Sequence, residues 1–195
     1  MRPIILTLTA VLMLTGCDGT ITIGEPPRCP NGECPAVPES QCPYKSVPPM
    51  DLPVELRERN YGGSCVHASM VSILRWQHLF TLADWWRATF SGGEGLGGLV
   101  AKCEKIDLEF AYTGEGDPAF LEWCSRTKRG AVIFYYKNHS ISFCGFVGSD
   151  AVVMDNNRTD KLIRIPKAEF IQRWKSYGGV ALTPVYDPAP PKPWW

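Results

Sequence analysis

The sequence predicts one α+β domain in which N-terminal helices pack on a mostly antiparallel C-terminal sheet. Helical apolar periodicity is concentrated between Cys65 and about Lys128. Strand-like runs follow from Ala131 to Val185, with a single further helical segment between them. The helix that begins at Cys65 is apolar on more than one side, which is typical of a buried helix. Helices that precede the strands, instead of alternating with them, favour α+β segregation.

The predicted elements follow from periodicity and from glycine and proline positions. Helices are predicted over residues 65–79, 81–90, 99–105, 117–128 and 166–175. Strands are predicted over residues 108–112, 131–136, 140–147, 151–154, 161–165 and 180–185.

Local patterns set some of the helix ends. Thr81 to Asp84 fits a capping box. Asp117 and Pro118 fit a helix N-cap and first position, and Gly130 follows the same helix as a stop. The glycine-rich segment 91–98 is interpreted as a loop that borders the functional site. It lacks a preceding strand and a following Lys-Ser/Thr, so it does not match a phosphate-binding loop.

Composition bounds the class of protein. The chain has 195 residues, of which 45% are apolar and 11% aromatic, values typical of a globular protein. Its 20 basic and 20 acidic residues give a formal net charge of zero. Because no Lys/Arg cluster follows a helix face, we predict no nucleic-acid partner. We also predict a monomer.

The first 17 residues read as a targeting segment. Arg2 precedes an apolar run over residues 4–14 that is too short to cross a bilayer as a helix. The run ends in Leu-Thr-Gly-Cys at Cys17, which resembles the bacterial lipobox. We therefore predict an extracytoplasmic protein attached to a membrane through a lipidated Cys17. An ordinary secretory signal with an incidental cysteine is the alternative.

The predicted domain occupies residues 52–186. Residues 18–51 are rich in Pro, Gly, Glu and Ser and read as a tether, and residues 187–195 read as a proline-rich tail.

Eight cysteines need an assignment. If Cys17 is lipidated and Cys65 is a nucleophile, six remain, an even number in a compartment that permits disulfides. Cys29 and Cys34 could close a small loop, and Cys103 with Cys124 could join two helices; the other two are Cys42 and Cys144. The spacing of Cys29, Cys34 and Cys42 does not match a zinc-binding pattern, and no histidine lies near them in the sequence. We predict neither a metal nor another cofactor.

Cys65 is the candidate nucleophile. It follows Gly62, Gly63 and Ser64 and opens the buried helix. Amide N–H groups at a helix N-terminus favour a thiolate, and a neighbouring imidazolium lowers the thiol pKa further.

His139 and Asp155 are the candidate base and its orienting carboxylate. A hairpin with its turn near Gly148 brings them to neighbouring ends of two paired strands, within reach of a hydrogen bond. Such a bond fixes the imidazole tautomer and stabilises its charged form. His67 remains an alternative base, and Asn156 or Asn157 an alternative orienting residue.

The block from Gly63 to Ser69, followed by His139 and Asp155, resembles papain-like cysteine peptidases. It is more similar to the bacterial double-glycine-leader peptidases of bacteriocin exporters and their soluble relatives. In that branch a glycine follows the histidine within the strand pair, here Gly145, and the aspartate comes about sixteen residues after the histidine. The resemblance implies a papain-like fold and hydrolysis of peptide amide bonds in a peptide or protein substrate, through a Cys-His-Asp triad and a thioester.

One position departs from the family. A glutamine six residues before the cysteine usually supplies an oxyanion donor, but Arg59 stands there and Asn60 is the nearest carboxamide. We therefore expect Asn60 and the Cys65 N–H to bind the oxyanion. Two alternatives stay open. A transglutaminase-like enzyme or a peptidoglycan amidase or endopeptidase would use the same triad, and the missing glutamine favours a lipid-anchored binding module without turnover.

Overall fold

The structure, a computed structural model, describes residues 52–185. The predicted leader, the tether, the tail, Cys17 and the cysteines at 29, 34 and 42 lie outside these residues. A short 3-10 helix, Val54–Leu56, precedes the main elements. The α-helices are α1 Cys65–Trp76, α2 Phe80–Thr89, α3 Leu96–Lys105, α4 Pro118–Arg126 and α5 Lys167–Ser176. The strands are β1 Phe110–Thr113, β2 Ala131–Tyr136, β3 His139–Val147, β4 Asp150–Met154, β5 Ile163–Pro166 and β6 Ala181–Pro184.

The six strands form one sheet in the order β1-β6-β2-β3-β4-β5, and every neighbouring pair is antiparallel. Four of the five helices precede all the strands except β1. The predicted α+β class, with a buried helix starting at Cys65 and packed on an antiparallel sheet, is therefore confirmed.

Apolar side chains cover both faces of the sheet. On one face α1, α2 and α3 pack on Val132 and Leu182, with Met70 and Trp86 at the centre of the cluster. On the other face α4 and α5 pack on the sheet through their aromatic side chains, Phe120, Trp123, Phe170 and Trp174. The sheet thus separates two helical layers, and α1, fully buried from Cys65 to Leu74, lies in one of them.

This layering corrects the expected disulfide between Cys103 and Cys124. Cys103 lies in the cluster that holds α1, whereas Cys124 lies in the cluster on the opposite face of the sheet. A disulfide needs Cα atoms about 4.4–6.8 Å apart, a separation that an intervening sheet prevents. Both thiols are free and buried, and no disulfide joins two cysteines within residues 52–185.

Two predicted boundaries were also wrong. Thr81 does not cap α2, because the helix begins at Phe80 with Leu79 at the N-cap position, two residues before Thr81, and has no side-chain cap. Asp84 instead pairs with Arg75 at 3.1 Å. α3 begins at Leu96, so the second half of the glycine-rich segment is helical. The apolar spacing of Leu96, Leu99 and Cys103, which pack in the core, outweighs the low helix propensity of the two glycines between them.

The predicted cap of α4 is confirmed, since the Asp117 carboxylate accepts a hydrogen bond of 2.9 Å from the Ala119 N–H and Pro118 is the first helical residue.

A β-bulge interrupts the β3–β4 hairpin. Phe143 pairs with Val153, but Gly145 pairs with Val152, so Cys144 is one extra residue on β3. The turn lies between Val147 and Asp150, as the position of Gly148 predicts.

Among the helices of residues 52–185, none is both long and apolar enough to cross a membrane.

Candidate active site

Cys65 is the first residue of α1. Gly62 and Gly63, with φ of +61° and +77°, turn the chain into the helix, a conformation that glycine adopts without strain. The Cys65 side chain is buried but not sealed, with 7% of its surface exposed. Its sulfur accepts a hydrogen bond from the Ser140 N–H at 3.4 Å, and Cys65 lines the same cleft as His139. The structure therefore brings the predicted nucleophile and the predicted base together.

Ser64 joins the start of α1 to the glycine-rich loop. It stands at the N-cap position, but its hydroxyl does not cap the helix. The hydroxyl instead accepts a hydrogen bond of 2.9 Å from the Gly92 N–H. The loop is thereby held beside Cys65.

His139 opens β3, directly after Asn138, whose φ of +57° makes the tight turn from β2. The imidazole Nε2 lies 2.9 Å from Asp155 Oδ1. Asp155 follows the last residue of β4, as the hairpin predicts. With Nε2 bonded to the carboxylate, Nδ1 is the ring nitrogen left for the Cys65 sulfur.

The electrostatics of the three groups are coupled. Burial raises the pKa of the Cys65 thiol, but bonds from His139 and the Ser140 N–H, together with the imidazolium charge, outweigh it, so the pKa is lowered from its usual value of 9.0. The bond to Asp155 and then the bond to Cys65 raise the pKa of His139 from 6.5 to about 9. The bond to His139 lowers the pKa of Asp155 against the opposing effect of burial. At neutral pH these directions favour a thiolate beside an imidazolium.

Asn156 is fully buried, and its side-chain hydrogen bonds go to residues other than His139. Its amide nitrogen lies 2.9 Å from each of three acceptors, Cys65 O, Ser69 Oγ and Ser140 O. It therefore bonds to the helix that carries Cys65 and to the strand that carries His139. We had no signal in the sequence for this network beyond strand alternation, which turns Asn156 to the face opposite Asp155.

Asn157 and Asn60 bond to each other. Asn60 Nδ2 donates to Asn157 Oδ1 at 3.1 Å, and the Asn157 backbone N–H donates to Asp155 Oδ1 at 2.9 Å. Asn157 Nδ2 lies 3.3 Å from His139 Nε2, but both atoms are donors when Nε2 bonds to Asp155. Asp155 is therefore better placed than Asn157 to orient the imidazole, and the Asn60 amide nitrogen is engaged away from Cys65.

His67, the alternative base, faces away from Cys65. Its Nδ1 accepts a hydrogen bond from Trp86 Nε1 at 3.2 Å, and its Nε2 lies 3.1 Å from Glu94 Oε1. Burial lowers the pKa of His67, and the charges of Lys102 and Arg87 add to the effect against the opposing charge of Glu94. Nδ1 is occupied by Trp86 and Nε2 lies against Glu94, so His67 contacts the glycine-rich loop through Glu94.

Cys65 and His139 line a cleft of about 560 Å³. Part of the lining is Gly63 and the loop residues 93–95, and part is the β2–β3 turn with Lys137; Tyr177 also contributes. The glycine-rich loop thus borders the site, as its sequence suggests. An extended peptide could reach the Cys65 sulfur through this opening.

Within residues 52–185, no group of three or more His, Cys, Asp or Glu side chains is arranged to hold a metal ion.

No protein-family model matches this chain, and no curated protein matches it. One similar solved structure is described as a double glycine motif protease from an AMS/PCAT transporter in complex with the leader peptide. The two chains are 18% identical, and the match covers 66% of this chain and 89% of that chain, with a TM-score of 0.47.

Proposed function

We propose that this protein is a papain-like cysteine peptidase that uses Cys65, His139 and Asp155 to hydrolyse peptide amide bonds. The observation that supports the proposal most is the chain of contacts from the Cys65 sulfur through the His139 ring to the Asp155 carboxylate. A thiol, an imidazole and an orienting carboxylate in this order form an activated nucleophile with its base.

In the acylation step, the Cys65 thiolate attacks the carbonyl carbon of the substrate amide. The developing oxyanion is bound by backbone N–H groups at the start of α1, including that of Cys65. His139, as imidazolium, gives its Nδ1 proton to the leaving amine. The C–N bond breaks, and the acyl group remains on sulfur as a thioester.

In the deacylation step, neutral His139 takes a proton from water as the water attacks the thioester. The carboxylic acid leaves, and the thiolate–imidazolium pair re-forms. Asp155 keeps the Nε2 proton in place throughout, so Nδ1 always faces the reacting atoms.

The oxyanion site concerns Asn60. Asn60 is the expected side-chain donor, yet its amide nitrogen bonds to Asn157. Loss of one oxyanion donor costs on the order of 10²–10³ in rate. We therefore expect slow turnover unless the second N–H of the Asn60 amide reaches the oxyanion when substrate binds. An Asn60→Ala variant with unchanged hydrolysis would remove it from the oxyanion site.

We further propose that the enzyme works outside the cytoplasm, attached to a membrane through Cys17. The support for this is the leader sequence alone. Replacement Cys17→Ala should release the protein from the membrane fraction in a bacterial host, and unchanged membrane association would contradict the proposal.

The decisive test is labelling by a thiol-directed peptide electrophile, together with hydrolysis of a peptide library. Wild type should be labelled at Cys65 and should release peptide fragments, and Cys65→Ala should do neither. Equal labelling or equal hydrolysis by the two proteins would eliminate the proposal. Release of soluble muropeptides from purified sacculi by wild type alone would instead indicate a wall amidase or endopeptidase. A ligand bound equally by both proteins, with no product, would indicate a binding module.

A further inference from the structure

Asn156 bonds to both elements that carry the candidate catalytic groups, and we propose that it is the positioning residue that fixes Cys65 against His139. The inference rests on the proposed function, because it concerns the same thiolate–imidazolium pair. The hydrogen bonds of the Asn156 side chain go to the backbone of Cys65 and Ser140 and to Ser69, so its effect on the pair is transmitted through the backbone.

The contacts of Asn156 cross between two elements that are distant in sequence. On α1 its amide nitrogen reaches the carbonyl of Cys65 and the hydroxyl of Ser69. On β3 it reaches the carbonyl of Ser140, the residue after His139. Each of the three distances is 2.9 Å. One amide group therefore links the residue that bears the sulfur to the neighbour of the residue that bears the ring.

The backbone of Asn156 adds a third segment, since its carbonyl accepts a hydrogen bond of 2.8 Å from the Asn60 N–H. The chain that leads into α1 is thereby held to the same point. Four segments thus meet at this residue: the lead-in to the helix, the helix start, the start of β3 and the end of β4.

The chemistry of the site requires a neutral donor here. Two of the three partners are carbonyl oxygens, which only accept hydrogen bonds. A carboxylate of the same shape would place an oxygen against two carbonyl oxygens in a fully buried site, and an apolar side chain would leave those carbonyls without this donor. Among side chains of this size, asparagine alone supplies an NH₂ group at this reach.

The geometry of the Cys65 sulfur depends on this link. The sulfur takes a hydrogen bond of 3.4 Å from the Ser140 N–H, and the carbonyl of the same Ser140 bonds to Asn156. If α1 and β3 separate, this bond and the His139 bond weaken together. Both bonds favour the thiolate, so their loss raises the pKa of Cys65 toward its usual value.

The test is the pH dependence of Cys65 alkylation by iodoacetamide in the full chain, read by mass spectrometry of the Cys65 peptide. We expect Asn156→Leu to raise the apparent pKa of Cys65 by about one pH unit, which is a roughly tenfold slower alkylation at a pH below that pKa. Asn156→Ser, a milder variant whose hydroxyl reaches fewer acceptors, should give a smaller shift in the same direction.

Ser72→Ala is the matched control. Ser72 is also fully buried on α1, and its hydroxyl accepts a hydrogen bond of 2.8 Å from the Glu58 N–H, so it too joins the helix to another segment. It lies about two helical turns from Cys65. This control should lose thermal stability without moving the Cys65 titration.

Two results would overturn the inference. In the first, the Asn156 variants fold and Cys65 titrates as in wild type. In the second, neither variant folds, which would show that Asn156 contributes to stability alone. An equal titration shift in the Ser72→Ala control would also count against it, because general loosening would then explain the effect. The alkylation assay uses no peptide substrate, so its outcome is independent of whether the protein hydrolyses peptides. The proposed function is tested separately and fails if the Cys65→Ala variant still hydrolyses peptides.

Discussion

One oxygen of Asp155 serves two donors. Its Oδ1 accepts from His139 Nε2 at 2.9 Å and from the Asn157 backbone N–H at 2.9 Å. The backbone bond fixes the carboxylate independently of the ring, so the ring is oriented by a group that is itself held. This arrangement accounts for the direction of the His139 pKa, because the Asp155 bond is its largest cause.

The coupled pair predicts different pH profiles for two measurements on the same protein. Hydrolysis should fall at low pH, as the Cys65 thiolate is protonated, and again above about 9, as His139 loses the proton that the leaving amine requires. Alkylation of Cys65 should rise once with pH and stay high, because it needs only the thiolate. Rates of hydrolysis and of Cys65 alkylation, measured across the pH range, would test this. Hydrolysis that stays high well above pH 9 would argue against His139 as the acid.

Replacement of Asp155 tests the orienting role. Asp155→Asn removes the carboxylate hydrogen bond, and with it the charge, that raises the pKa of His139. The alkaline limb of hydrolysis should therefore move to lower pH, and the rate at neutral pH should fall at least about tenfold. Asp160→Asn, at an exposed position nearby, is the control and should behave as wild type. A profile unchanged by Asp155→Asn would give the orienting role to another residue.

At the scale of elements, the junction between α5 and β6 supports the cleft. Tyr177, which lines the cleft, is followed by Gly178 and Gly179, with φ of +94° and +61°. A Cβ on Gly179 would lie 2.1 Å from the Cα of Gly116, whose N–H bonds to the Gly179 carbonyl, whereas a Cβ on Gly178 meets only Val180 Cγ2 at 3.8 Å. The two turns therefore touch backbone to backbone.

These two glycines form a matched pair for mutation. Each alanine variant carries the backbone penalty of a positive φ, about 1–2 kcal/mol. Gly179→Ala must also displace the backbone at Gly116, which adds about 1–3 kcal/mol. Urea unfolding should therefore rank Gly178→Ala as the milder change, and equal losses would contradict the close approach seen between the two turns.

At the scale of the whole molecule, the layered core separates the thiols by reactivity. Burial raises the pKa of Cys103 to about 12, and burial also raises the pKa of Cys124 despite the opposing charge of Arg129. Of these two and Cys65, only Cys65 has a lowered pKa and lines a cleft. Peptide mapping after brief alkylation at neutral pH should find Cys65 modified and these two protected until urea is added. Rapid modification of Cys124 in the folded protein would contradict the packing of α4 on the sheet.

The sequence carries some of these features and lacks others for physical reasons. A helix start at Cys65 and a hairpin from His139 to Asp155 are local patterns, so periodicity and turn residues predict them. The positions of Cys103 and Cys124 on opposite faces depend on which side of the sheet each helix packs, which no local pattern contains. The capping box at Thr81 failed because α2 begins at Phe80, two residues before the first helical position that the box requires. The bonds of Asn156 join segments that only the fold brings together.

The extra residue at Cys144 has a consequence for the end of the hairpin. Pairing on the far side of the bulge sets Ser142 opposite Met154, so position 155 falls opposite Ile141. If the register of Gly145 and Val152 continued along β3 without a bulge, position 155 would fall opposite Ser142, one step out of phase. Side chains along a strand alternate between the two faces of the sheet. The bulge at Cys144 therefore sets the register in which the Asp155 carboxylate faces the His139 ring and the Asn156 amide faces α1. With the register shifted by one residue, Asp155 and Asn156 would exchange positions. The Asp155 carboxylate would then face the carbonyls at the start of α1, and the Asn156 amide would lie beside the His139 ring.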